Sequence, residues 1–331
     1  NQPNSMGMMD PNFQGQQVPS YQSIPKIRVI VRKRPLSKKE IAKNDQSVVE
    51  IRNNRQVVVK ELKQKVDLTK YVEEHAFTFD MAFDEEHSNE TIYMETVRPM
   101  IEAAFNKTKV TCFAYGQTGS GKTFTISGTP SNFSYRGIVP RAITRLFQEI
   151  GNKPEFEFKV QISYLEIYNE IMFDLLPADG KSFTNNRQDI VFQEDAKGNL
   201  TVKGLGKHTV TNEEEASNLL FEGESNRTVS EHKLNKGSTR SHCLFTIHLE
   251  MKSRIESNDK VIFSKLNFVD LAGSERVKAT GSTGITLKEA TYINKSLTFL
   301  EQVVVALTER KGKNKDHVPY RQSKLTHILK D

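Results

Sequence analysis

The sequence predicts an α/β domain, a central and mostly parallel sheet with helices packed on both faces. Three observations carry that expectation. Short apolar, strand-like runs alternate along the chain with helix-like stretches, the pattern of a layered α/β unit. A glycine-rich segment, Gly116-Gln117-Thr118-Gly119-Ser120-Gly121-Lys122-Thr123, stands directly after one such run and before a helix start. The composition, 36% hydrophobic and 27% charged over 331 residues, is enough to bury a sizeable core without staples. Two cysteines, Cys112 and Cys243, exclude a disulfide framework and an all-cysteine zinc site.

Residues 1–25 read as a disordered tail, dominated by Asn, Gln, Ser, Pro, Gly and Met with no apolar period. The chain starts at Asn1 rather than Met, which reads as a fragment or a processed product. Order begins near Lys26, and no Gly- or Pro-rich linker divides residues 26–331, which read as one domain. A β-branched run at 27–31, ended by Arg34-Pro35, predicts the first strand. Residues 109–115 and 264–269 read as buried strands, while 158–168 and 244–251 alternate as strands do. Helices are predicted over 89–105, 140–150 and 213–222, and a long one over 287–307. In the long helix Ile293, Leu297, Leu300, Val304 and Leu307 form one stripe, with Lys288, Lys295 and Gln302 opposite. That stripe reads as core.

Charge narrows the partner only loosely. Lys and Arg number 47 against 41 Asp and Glu, a net +6 that suits nucleic acid, an anionic membrane or an acidic protein polymer alike. No apolar run reaches the ~18–20 residues of a spanning helix. The amino terminus lacks the basic stretch and apolar core of a signal peptide, which favours a reducing, intracellular compartment.

The phosphate-loop segment fits G-x-x-x-x-G-K-[ST]. Its glycines let backbone N–H groups close around phosphates, Lys122 reaches the terminal oxygens, and Thr123 can ligate Mg²⁺. Two later segments extend the pattern. Asn235-Lys236-Gly237-Ser238-Thr239-Arg240-Ser241-His242 gathers hydroxyls, an Arg and a His. Asp270-Leu271-Ala272-Gly273-Ser274-Glu275-Arg276 follows a short apolar strand; an Asp there suits an outer-shell Mg²⁺ contact, and the Gly273 N–H can donate to a γ-phosphate. Either segment alone reads more readily as an ordinary turn. In this order, downstream of a phosphate loop, the two resemble switch loops that sense a γ-phosphate.

These three motifs together resemble the kinesin motor domain. So do Tyr164-Leu165-Glu166-Ile167-Tyr168-Asn169-Glu170, Ile293-Asn294-Lys295-Ser296-Leu297 and Val318-Pro319-Tyr320-Arg321-Gln322-Ser323-Lys324-Leu325-Thr326. The resemblance covers residues 26–331 and implies a P-loop NTPase fold of the kinesin motor type, ending before its last strand and helix. It implies Mg²⁺ and ATP as ligands, with Thr123 and Ser238 on the metal, Thr239 and Gly273 around the γ-phosphate and attacking water, and Arg240 paired with Glu275. Arg32, Pro35, Tyr93 and Phe124 fall where the family contacts adenine; Phe124 replaces a common His, and Thr239 replaces a Ser.

The partner implied by the resemblance is tubulin, in the cytoplasm on the microtubule cytoskeleton, a cilium or flagellum, or a spindle. Neither nucleic acid nor membrane insertion is implied. The contacts map to Lys288 and Lys295 on the long helix and to Arg310, Lys311, Lys313, Lys315, Arg321 and Lys324 beyond it. The amino half, through Lys65-Val66-Asp67, is similar to the thirteenth, microtubule-depolymerising class; from Arg136 onward the chain is similar to the ninth, ciliary and flagellar class. An ATP-driven microtubule motor is the leading expectation. A depolymerase that bends tubulin at filament ends and a non-enzymatic microtubule-binding module are the alternatives.

Overall fold

The computed structural model describes residues 27–129, 132–177, 190–194, 200–233, 240–255, 261–275, 285–308 and 318–330. The chain opens with β1 (Ile30–Arg32) and α1 (Lys38–Ala42), then runs through β2 (Val49–Arg52), β3 (Gln56–Gln64), β4 (Lys70–Thr78) and β5 (Met81–Phe83). α2 (Asn89–Ile92) widens into a π-helical turn at Tyr93–Val97 and continues as α3 (Arg98–Ala104), so the helix predicted over 89–105 is three joined pieces. Pro99 is the second residue of α3, just after the π-helical turn.

β6 (Val110–Ala114) leads into the phosphate loop and α4 (Lys122–Ile126), followed by α5 (Ile138–Gly151), β7 (Phe156–Tyr168) and β8 (Ile171–Asp174). Next come β9 (Val191–Glu194), β10 (Leu200–Lys203), β11 (His208–Val210) and α6 (Glu213–Lys233). β12 (His242–Ser253), β13 (Val261–Asp270), α7 (Ile285–Thr308) and α8 (Lys324–Ile328) complete the order.

The main sheet runs β11-β7-β12-β13-β6, with β8 also on β7. Its β13–β6 pair is parallel, but β7–β12, β12–β13, β11–β7 and β7–β8 are antiparallel. The sheet is therefore mixed rather than mostly parallel. Strands β12 and β13 are separated only by residues 254–260, too few for the dozen or more that a parallel crossover needs. Among the described residues three smaller groups stand apart, β1 parallel to β5, β9 antiparallel to β10, and the antiparallel β2-β3-β4.

Helices do cover both faces. Along β7, Val160, Ile162 and Tyr164 enter one core with Ile101, Ala142, Ile143, Leu146, Ala216 and Leu220 of α3, α5 and α6. Leu165 and Ile167 turn the other way, against Ile293, Leu297 and Leu300 of α7 and Leu325 of α8. The two-residue strand period splits one strand between two cores. The predicted α7 stripe is thus core, with Val303 joining it and Val304 and Leu307 half-buried.

Candidate nucleotide site

The site forms where β6, β13 and β12 end. Gly121 caps α4 at φ 95°, left-handed backbone that glycine adopts without strain, and Gly119 stands at φ 76°. Those turns fold the loop back so that Lys122 Nζ donates to the carbonyls of Gly116 and Gln117 at 2.9 and 3.0 Å. Burial holds the ammonium below its usual range, against the pull of Asp270 and Glu275.

The β13 end closes over this loop. Asp270 is 3% exposed; its Oδ2 accepts from the Thr123 hydroxyl at 2.7 Å and from Arg227 Nη1 of α6 at 3.0 Å. Asp270 Oδ1 is buried with no partner among the described residues. A buried carboxylate oxygen left unmatched beside an exposed Thr123 is the donor set that an Mg²⁺–phosphate group would complete. The residues fit that ligand.

Beyond Asp270 the chain meets the loop again. Ser274 N–H donates to the Gly116 carbonyl at 3.1 Å. Thr118 donates its N–H to Glu275 Oε2 at 2.8 Å and its hydroxyl to Glu275 Oε1. A Cβ on Gly273 would collide with both of those carboxylate oxygens and with the Thr118 hydroxyl. Partial burial pushes the Glu275 carboxyl up, but the two Thr118 hydrogen bonds outweigh it and hold it below the usual range. Glu275 is thus engaged with Thr118 through both carboxylate oxygens. Gly273 permits the approach, and Thr118 offers two donors to one carboxylate at that spot.

His242, at the start of β12, ties the closing segment to the long helix. Its Nδ1 accepts from the Ala272 N–H at 3.1 Å, so its Nε2 carries the proton and donates to Ser296 Oγ of α7 at 2.8 Å. Burial, with Lys122 adding to it, pushes this imidazole down to about 4, so it stays neutral.

On the adenine side the expectations divide. Arg32 donates to Asn89 Oδ1 at 2.6 Å, to Thr125 Oγ1 at 2.8 Å and to the His87 carbonyl at 3.3 Å, and lies 5.3 Å from the Phe124 ring centroid. It braces β1 against α2 and α4. Phe124 and Pro35 are exposed. Tyr93 is not: it is 5% exposed, packed in the α3–α5 core, and its hydroxyl has no partner among the described residues. The π-helical turn beginning at Tyr93 carries the ring inward, so Tyr93 is a core residue and not a surface for a base. Gln117, Gly119 and Ser120 lie in the loop between β6 and α4, and Thr123 in the first turn of α4.

Ser238, Thr239, Arg310, Lys311, Lys313 and Lys315 lie outside the described residues, as does the side chain of Lys288. Lys295 is exposed on α7 with its Nζ 5.8 Å from the Phe299 ring centroid. Arg321 is paired with Glu194, which also accepts from Lys330 at 2.6 Å. Lys324 starts α8, its Nζ 5.0 Å from the Phe192 ring centroid. Lys65, Val66 and Asp67 form the exposed tip between β3 and β4.

Sequence reasoning missed Arg227 and Asn89. Arg227 sits late in α6 among polar neighbours, and no local pattern separates it from a solvated helix Arg. Its burial, 3%, is created by α6 lying on β7 and by the contact with Asp270 at the end of β13.

A phosphate loop followed by an Asp-bearing strand end and a carboxylate that returns to the loop defines a nucleotide-binding α/β domain with a closing segment. Residues 32–331 match the kinesin motor domain family, and the chain belongs to it. It is 49% identical over 247 residues to the mouse (Mus musculus) kinesin-like protein KIF9, covering 74% of this chain and 30% of that relative. Over 260 residues it is 45% identical to the kinesin-like protein KLP1 of Chlamydomonas reinhardtii, 78% of this chain and 32% of the relative. The kinesin-like protein KIN-13B of Arabidopsis thaliana is 39% identical over 313 residues, 93% of this chain and 42% of the relative. A solved structure of a fast kinesin superposes with a TM-score of 0.79 at 35% identity, over 92% of this chain and 80% of that one. The chain spans about a third of the length of the first two curated relatives and 42% of the third. Among the described residues no helix is long and apolar enough to cross a membrane.

Proposed function

We propose that this domain binds Mg²⁺-ATP at the phosphate loop, hydrolyses it, and couples the closing of the Asp270–Glu275 segment to a grip on microtubules. The observation that carries the reading is the return of Glu275 onto Thr118, which makes the position of the segment after β13 depend on the phosphate loop. Thr123 and Asp270, with Ser238 by resemblance, would hold the metal, which supplies charge neutralisation at the terminal phosphates. Lys122 adds a second positive charge, and the Gly273 N–H fixes the geometry of the attacked phosphate. His242 passes the position of Ala272 to Ser296, so a shift of the segment reaches α7, the helix that carries Lys295. Tubulin, an acidic polymer, suits the exposed Lys295 of that helix.

Glu275→Ala is the test. It should leave nucleotide affinity within about threefold of wild type and lower microtubule-stimulated ATP turnover by ten-fold or more, on the order of a lost positioning group. Unchanged turnover removes Glu275 from the mechanism.

A second reading, depolymerisation, is favoured by the hairpin β3–β4. Its tip projects Val66 fully exposed between Lys65 and Asp67. Replacing all three with Ala should abolish shortening of stabilised microtubules while sparing lattice-stimulated turnover. A wild-type protein that glides filaments and never shortens them removes this reading.

A further inference from the structure

Glu224 stands outside every motif that names the site, yet it touches the end of α4, the middle of β7 and, on its own helix, Arg227. Its Oε1 accepts from the Ser127 hydroxyl at 2.7 Å and from the Tyr164 hydroxyl at 2.7 Å. Ser127 is the residue that ends α4, the phosphate-loop helix, and Tyr164 is in the middle of β7. The preceding residue, Gly223, lies so close to the Tyr164 ring that a Cβ there would collide with it. Helix α6 is thereby pressed onto β7 at this point, and the register of Glu224 is fixed.

The other oxygen faces the metal side. Glu224 Oε2 is 3.8 Å from Arg227 Nη1, the same nitrogen that donates to Asp270 Oδ2 at 3.0 Å. The Arg227 and Asp270 side chains are each 4% exposed and that of Glu224 is 27% exposed, so among the described residues this guanidinium stands between two carboxylates, of which water screens mainly Glu224. Asp270 Oδ2 also holds the Thr123 hydroxyl. Any group that weakens the hold of Arg227 on Asp270 leaves more of the Asp270 charge for a cation at Thr123.

We propose that Glu224 is a positioning residue that draws Arg227 part-way off Asp270 and so sets how firmly the site retains Mg²⁺ with its nucleotide. The inference rests on the Mg²⁺-nucleotide reading above and adds to it a residue of α6. Electrostatics set its sign. With Glu224 neutral, Arg227 has Asp270 more nearly to itself, the local negative charge falls by one, and both changes disfavour a cation.

The experiment follows release of a fluorescent ADP analogue from the full chain while free Mg²⁺ is varied, with excess chelator as the zero point. In Glu224→Gln the amide oxygen still accepts from Ser127 and Tyr164, and only the charge is lost. The Mg²⁺ concentration that half-protects the nucleotide from release should rise about threefold or more, the scale on which contacting charged groups couple. Release in chelator should be unchanged. Glu224→Asp, which keeps the charge on a shorter arm, should restore part of the shift. Ser127→Ala, which keeps the charge and loses a tether, should leave the Mg²⁺ midpoint within about 1.5-fold of wild type. Equal midpoints in wild type and Glu224→Gln overturn the proposal while leaving the nucleotide site standing. A Ser127→Ala midpoint that moves as far as that of Glu224→Gln also overturns it, since a tether and not a charge would then be acting. A wild type that retains nucleotide no better with Mg²⁺ than without it overturns the nucleotide reading and this inference together.

Discussion

Charged residues crowd both the nucleotide site and the β2-β3-β4 sheet, yet they act differently in the two places. In the sheet, Arg52 sits between Glu50 and Glu74, and Lys63 between Glu61 and Glu73, with every one of these side chains more than a third exposed. Each partner can be lost to water at little cost. At the site, Asp270 and Arg227 are almost fully enclosed; Asp270 Oδ2 is held by Thr123 and Arg227, and Arg227 Nη1 lies between Asp270 and Glu224. Removing one member there strands another in a low-dielectric interior. The apolar residues differ in the same way. Leu62 and Val72 face each other across β3–β4 and are 70% and 54% exposed, whereas Ile162 and Phe245 of the main sheet are closed off. Burial, more than composition, decides which residues a function can be built on.

Breaking the enclosed side should give the largest effect. Lys122→Ala removes a charged donor whose only described partners are loop carbonyls that a phosphate would join. Nucleotide affinity should fall by about 10- to 100-fold, the worth of a charge-assisted hydrogen bond. An equal affinity in a nucleotide titration would refute the site.

The main sheet should also carry an acid sensitivity of its own, through one half-buried histidine. His248 of β12 is held down to about 3 by burial, with Lys207 and Lys265 adding to it, and its Nε2 meets Ser163 Oγ at 3.1 Å. Its folded pKa lies below the unfolded 6.5, so the unfolded chain binds the extra proton between those values. Stability from this group is whole above pH 6.5 and is lost as pH falls towards 3, with a slope of up to about 1.4 kcal/mol per pH unit. Thermal melts from pH 7 to pH 4 should show that slope reduced by about one proton in His248→Gln. Identical slopes would mean the imidazole is protonated in the fold.

Tyr93→Phe gives a smaller and opposite effect. The Tyr93 hydroxyl is buried without a partner among the described residues, so its removal should be neutral or stabilising by about 1 kcal/mol. Nucleotide affinity should not change, and a loss of affinity would return Tyr93 to the base-binding surface. Least of all should come from the hairpin tip. The Lys65, Val66, Asp67 triple alanine should leave the melting temperature within about 2 °C of wild type, because the three side chains are exposed.

Much of this was legible along the chain because it is local. The phosphate loop is a run of consecutive residues whose glycines must take left-handed backbone, and that requirement is written in the sequence itself. Strand alternation in 158–168 and the stripe of α7 each reflect the period of a single element, and both elements are where they were expected. Tertiary structure alone decided what depends on two segments meeting. The direction of the sheet turned on the β12–β13 hairpin, and the inward turn of Tyr93 on a π-helical widening that no residue type announces. Arg227 and Glu224 became parts of the site because α6 is pressed against β7 at Gly223, and Glu275 found Thr118 because Gly273 leaves it room. A sequence records the period of an element and the backbone freedom of a residue. Burial and pairing arise between segments far apart in the chain, and only the packed fold fixes them.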